Sequence, residues 1–158
     1  MANTQSMCTS FLGELMTATH NFGVAPTRGA STADTFKAAL YLTTATVNAA
    51  TTAYSATNEV SGTNYSAGGV AVTNATPPSS TNTSATAGTG YWTPSAAITY
   101  TNVTLSTAFD CVLIYNSTQS NKAVSVHTFG SQTITAGNFT LTMPSNTTST
   151  ALLRLATT

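Results

Sequence analysis

Asp34-Thr35-Phe36-Lys37-Ala38-Ala39-Leu40-Tyr41-Leu42-Thr43-Thr44 alternates along its length. Phe36, Ala38, Leu40 and Leu42 share one side; Lys37, Ala39, Tyr41 and Thr43 share the other. A period of two predicts an extended strand with one buried face. Cys111-Val112-Leu113-Ile114-Tyr115 is different: a short, continuous apolar run. It predicts a central strand buried on both sides.

Working outward, further short strands are expected at Val70–Val72, Tyr91–Pro94, Ala97–Ser106, Ala123–Phe129, Thr133–Thr135, Phe139–Met143 and Ala151–Ala156. The apolar phase shifts between Tyr100 and Val103, which predicts a bulge. Asn116–Asn121 and Gly130-Ser131 carry turn chemistry. Ala45–Ala53 reads as a loop or a short helical turn. Val24–Thr32, with Pro26 and Gly29, reads as a loop. Asn74–Gly90, with Pro77-Pro78, reads as a long one. One helix is expected over residues 10–22, because Phe11, Leu12, Leu15 and Met16 recur at helical spacing. Thr9 or Ser10 can cap its start and Gly23 can end it. Residues 1–9 read as a flexible tail, leaving 10–158 as a single β-domain. About eight short strands with frequent turns predict an all-β fold, a jelly-roll-like sandwich or small barrel with one short N-terminal helix.

Composition agrees. Threonine, roughly a fifth of the chain, suits a pleated, half-exposed surface. Charged residues are 5% of the 158, against ~25% in ordinary domains. The charges are Glu14, Arg28, Asp34, Lys37, Glu59, Asp110, Lys122 and Arg154, and they cancel. Four scattered basic residues argue against electrostatic nucleic-acid binding. Zero net charge leaves copies free to associate. The N-terminus lacks the basic-then-apolar form of a signal peptide, and no apolar stretch approaches a membrane span. Synthesis in the cytosol, with no membrane partner, is the expectation.

Catalytic signatures are not evident. Glu14, Asp34, Glu59 and Asp110 have no spacing that pairs them. His20 and His127 sit near no nucleophile elbow and read as structural, His20 at the helix C-terminus. Cys8 and Cys111 read as free thiols, with no metal spacing. No enzyme activity, cofactor or metal is expected. Tyr41, Tyr54, Tyr65, Tyr91, Trp92, Tyr100 and Tyr115 leave open a sugar-stacking face, hence a carbohydrate-binding sandwich, or tyrosines at core margins and interfaces.

Several phrases then combine. Asp34–Tyr41 leads to Thr52-Ala53-Tyr54, and then to Asn58-Glu59-Val60-Ser61-Gly62-Thr63-Asn64-Tyr65 and Gly68-Gly69. Phe109–Asn116 and Ala151-Leu152-Leu153-Arg154-Leu155 follow. From about Ser10 to Ala156 the chain resembles small virion structural proteins of tailed phages, especially short-tailed ones. The resemblance implies a capsid cement or decoration protein on the outside of the shell, with a tail or fibre component as the alternative. Its partners would be the major capsid protein and further copies of itself, as dimer or trimer. It would be made in the host cytoplasm and reside in the virion. Glu59, Gly62, Tyr65, Gly68 and Gly69 then form a structural turn motif. Phe11, Leu15, Met16, Tyr91 and Trp92 are the expected interface residues.

Overall fold

A computed structural model of the chain describes residues 3–16, 18–22, 33–81 and 88–156, with the side chains of residues 12, 13 and 16 left outside that set. The fold is an all-β sandwich of two antiparallel sheets, not a closed barrel, with one short helix. In chain order the elements are β1 Ser6–Met7, α1 Thr9–Met16, β2 Phe36–Leu42, β3 Val70–Val72, β4 Ser79–Ser80, β5 Thr89–Trp92, β6 Ile98–Asn116, β7 Lys122–Leu141 and β8 Leu153–Ala156. The larger sheet runs β1-β7-β6-β2-β3 and the smaller β4-β5-β8.

One long hairpin dominates. β6 has 19 residues and β7 has 20. The sequence suggests five short strands over this region; the structure joins them into two. Gly130-Ser131 is not a turn. Register passes from Cys111↔Thr128 to Phe109↔Gln132, so the chain around Gly130 bulges out of the ladder and continues. The expected bulge between Tyr100 and Val103 is present. Its extra residue, Asn102, has φ 50°, a conformation that asparagine tolerates better than most residues. The displaced backbone donors are satisfied across the hairpin: Asn102 N–H donates to Asn138 Oδ1 at 2.8 Å, and Ala136 N–H to Thr104 Oγ1 at 3.0 Å. Cys111 to Asn116 is buried without interruption, as a central strand should be.

β2 lies between β6 and β3. Both its sides are covered, Ala39 and Tyr41 as well as Phe36, Ala38 and Leu40. Beyond β3, the chain around Asn58–Val60 takes over its edge, with Leu42 N–H donating to Asn58 O and Val60 N–H to Leu40 O. Within the Asn74–Gly90 loop sits β4, paired to β5. Residues 82–87 of it lie outside the described set, as do Gly23 and the 24–32 loop.

The N-terminus departs most from expectation. Residues 3–9 are not the free tail that their polar composition suggests. Ser6 and Met7 pair with Val126 and Ser125 of β7. The Asn3 side chain donates to Leu42 O and Asp110 Oδ1, and accepts from Val47 N–H. Cys8 is fully buried. The helix is eight residues, ending before His20 instead of running to Phe22. Cys8 and Cys111 are free thiols, and burial pushes them up to about 11 and about 12 respectively.

Candidate functional site

Two expected interface residues belong to the core. Phe11 and Trp92 are 2% and 3% exposed. Phe22 stacks on Phe36 with ring centres 4.4 Å apart, Trp92 lies 4.7 Å from Phe22, and Phe11 closes the cluster at 5.9 Å. The Trp92 indole donates to Thr76 O at 3.1 Å. Phe11 of the helix is therefore buried inside its own chain. Leu15 and Tyr91 are half-buried; the side chain of Met16 lies outside the described residues. Leu15, Tyr91, Pro78 and the exposed Leu155 rim a narrow apolar groove of about 160 Å³ above that cluster.

The turn motif does assemble. Glu59 is its centre, accepting from Tyr54 Oη at 2.6 Å, Tyr65 Oη at 2.7 Å and Gly68 N–H at 2.8 Å. Tyr65 Oη in turn accepts from Leu40 N–H, and Tyr115 Oη donates to Gly68 O. Burial first, and then the Glu59 carboxylate, raise the Tyr54 and Tyr65 hydroxyls well above the usual phenol range. The glycines are forced by close approach. A Cβ on Gly69 would stand 1.7 Å from Ala38 O, and one on Gly62 would stand 2.0 Å from Thr104 O. This motif is a fastening of loop to sheet with no exposed reactive group.

A second network was not legible in the sequence. Lys122 Nζ donates to Glu14 Oε1, and Glu14 Oε2 lies 2.6 Å from His20 Nε2. His20 Nδ1 meets Asn116 Nδ2 at 3.1 Å, and Asn116 also donates to Asp34 Oδ2 at 2.7 Å. Asn116 Oδ1 accepts from Thr118 and Gln119 N–H, which fixes its amide orientation. His20, Asp34 and Asn116 are buried. Burial alone would raise the Glu14 carboxyl, but hydrogen bonds from Lys122 and His20 hold it below its ordinary value. The only signal in the sequence was Asp34 abutting an apolar strand.

Ser125 Oγ and His127 Nε2 lie 2.9 Å apart on one face of β7. Nucleophile and base are thus in reach, yet the chemistry is poor. Burial depresses the imidazole to about 4, far from the value a general base needs at neutral pH. Among the described residues no carboxylate orients its ring. Nor, among them, do three His, Cys, Asp or Glu side chains gather to hold a metal ion, and no helix is long and apolar enough to cross a membrane.

The sugar platform that seven aromatics left open is not assembled. Trp92, Tyr41, Tyr100 and Tyr115 are buried; Tyr54, Tyr65 and Tyr91 are half-buried. Tyr54 stacks on Tyr115 and Tyr65 on Tyr100 instead.

What the surface does offer is a neutral face. Residues 60–109 and 123–153 contain no Asp, Glu, Lys or Arg. They include the far half of the hairpin, Ile98–Thr107 and Gly130–Leu141, where Thr99, Thr101, Thr107, Gln132, Thr133 and Thr140 are exposed. Thr99 and Thr140 hydroxyls meet across the strands at 3.2 Å. Bulges curve this hairpin and blunt its outer edge against strand-to-strand aggregation. The result is a stiff surface of hydroxyls and amides. Compared with protein-family models, curated proteins and solved structures, the chain matches none.

Proposed function

We propose that this chain is a phage capsid cement or decoration protein. Copies of it seat on the outside of the major capsid shell and hold neighbouring shell subunits together. The resemblance of Asp34–Tyr41, the Glu59–Gly69 motif and Phe109–Asn116 to virion proteins supplies the setting. The observation that carries the mode of action is the charge-free face of the hairpin. A freely diffusing domain gains solubility from charge; a subunit of an assembly does not need it. Hydroxyl and amide contacts on a rigid β-surface can be satisfied pairwise across an interface without desolvating any ion. Many symmetric copies, each burying an ordinary interface, add up to a shell that resists internal pressure.

Purified protein added to shells lacking their decoration should bind in hundreds of copies per particle. Attachment between 50 mM and 1 M NaCl should change by less than about threefold, since few charges are screened. Attachment lost steeply at high salt overturns the proposed contact. A handful of copies per particle favours a tail or fibre station for the same surface.

A further inference from the structure

A cavity of about 650 Å³ is separate from the far half of the hairpin. It opens where the two sheets come together. β1 is the outermost strand of the larger sheet on one side, and β8 the outermost strand of the smaller. Both contribute to its walls, through Ser6 and Met7 and through Leu153, Arg154 and Ala156, while Ser125 and His127 of β7 lie alongside. Two sheet edges thus border one cleft with no strand between them. An outermost strand has unpaired backbone N–H and C=O groups, the usual template for an added extended segment. The volume falls within the ~300–1,000 Å³ of sites that hold a small ligand or a few residues of peptide.

The charge is one-sided. Of all the residues lining the cleft, Arg154 alone is charged, and no Asp or Glu faces it. Its guanidinium is steadied by donating from Nη1 to Ser149 O at 2.6 Å, and among the described residues it has no carboxylate partner. A fork of N–H donors with a single positive charge matches one carboxylate better than a dianionic phosphate, for which a second base or an amide nest is the common arrangement. The remaining lining is Thr, Ser, Gln, His127 and apolar side chains.

We infer that this cleft binds an extended peptide segment carrying one carboxylate: the backbone pairs along β1 or β8, and the carboxylate is held by Arg154. This deepens the cement reading by naming the chemistry of the partner segment, and it rests on that reading only for where the segment comes from. The remainder of the peptide is uncharged, since nothing else in the cleft would compensate a charge. Ser125 and His127 serve as neutral floor and not as catalysts.

The test is a titration of the full chain, followed by amide and imidazole NMR shifts. The probes are capped Thr-Thr-Asp-Thr-Thr and capped Thr-Thr-Asn-Thr-Thr. Saturable shifts at Ser6, Met7, His127 and Leu153–Ala156 are expected with the Asp peptide. Its affinity should exceed that of the Asn peptide by about fivefold, the worth of one exposed charge-assisted pair. Arg154→Gln should bring the two peptides level, while shifts elsewhere in its spectrum report an intact fold. Arg154→Lys should keep part of the difference. Absence of saturable shifts, equal affinity for the two peptides, or full discrimination surviving in Arg154→Gln would each overturn the inference. Because the probe is a free peptide, failure to decorate shells sinks the capsid reading and leaves the cleft standing.

Discussion

The two halves of the β6–β7 hairpin are built on opposite principles. In the half next to the turn, Phe109–Asn116 and Lys122–Phe129 are flanked by β2 and β1, and most of their side chains are buried. Lys122 joins Glu14 there, Asn116 joins His20 and Asp34, and Tyr115 joins the loop that Glu59 holds. In the far half, Ile98–Thr107 and Gly130–Leu141 have one face on the core and one in solvent, with no charge on either strand. In a chain with eight charged residues, five (Glu14, Asp34, Glu59, Asp110 and Lys122) are committed to fastening the N-terminal segment and the Glu59 loop onto the sheet. Charge here serves the fold, and the surface left over on the far half is neutral.

Glycine substitutions should separate the two halves by the widest margin. At Gly69, in the fastened region, φ is +71° and an added Cβ would penetrate Ala38 O, a backbone atom of β2 that cannot step aside. Gly69→Ala should cost about 4 kcal/mol or more, or prevent folding. At Gly130, in the far half, an added Cβ meets nothing within 4 Å. Gly130→Ala should lie within about 0.5 kcal/mol of the parent. Urea unfolding of both variants decides it. Similar losses at the two sites would mean that the bulge at Gly130 is as constrained as the loop, and the halves would not differ.

The same contrast explains what was legible in the sequence. The alternation over Phe36–Leu42 named a strand because side-chain direction has a period of two. The shift between Tyr100 and Val103 named a bulge because an extra residue changes the phase of everything after it. Glu59, Gly62, Tyr65, Gly68 and Gly69 could be recognised as a structural unit because polar and glycine residues cluster where a loop must bend. Gly130-Ser131 misled, since a bulge and a turn recruit the same residue types and only the partner strand distinguishes them. Phe11 and Trp92 misled for another reason. An amphipathic pattern says that a face is buried; it does not say against what. The network of Glu14, His20, Asp34, Asn116 and Lys122 spans more than a hundred positions and left no local spacing to read.

Acid should act on the fastened half alone. His127 is depressed to about 4 by burial, below its ordinary 6.5. A depressed imidazole stabilises the fold fully above its ordinary value, and that contribution is lost as pH falls from about 6.5 to about 4. The loss should be about 2 kcal/mol after allowing for partial exposure. Glu14 is also depressed, so its contribution persists above the ordinary carboxylate range and is lost only as pH falls further, through its lowered value. Urea midpoints measured at pH 7, 5.5, 4 and 3 should therefore fall in two stages. His127→Gln should flatten the first and Glu14→Gln the second. The far half has no histidine or carboxylate to titrate, so a single steep loss untouched by either substitution would show that the acid-sensitive element lies elsewhere.

The smallest expected effect on stability carries the largest consequence for function. Thr101, Thr107 and Thr133 are exposed on the far half, and their side chains make no hydrogen bond within the described residues. Replacing all three with Glu removes no packing, so each change should alter unfolding free energy by less than about 0.5 kcal/mol. At a neutral interface the outcome inverts. Each carboxylate would have to leave water with no cation opposite it, at a cost of several kcal/mol. Shell attachment should drop at least about a hundredfold while the urea midpoint barely moves. The triple Thr→Ser control keeps the hydroxyls and should attach as the parent does. Unchanged occupancy in the Glu variant would remove this face from the contact, and the absence of charge on it would then have to be explained by something other than assembly.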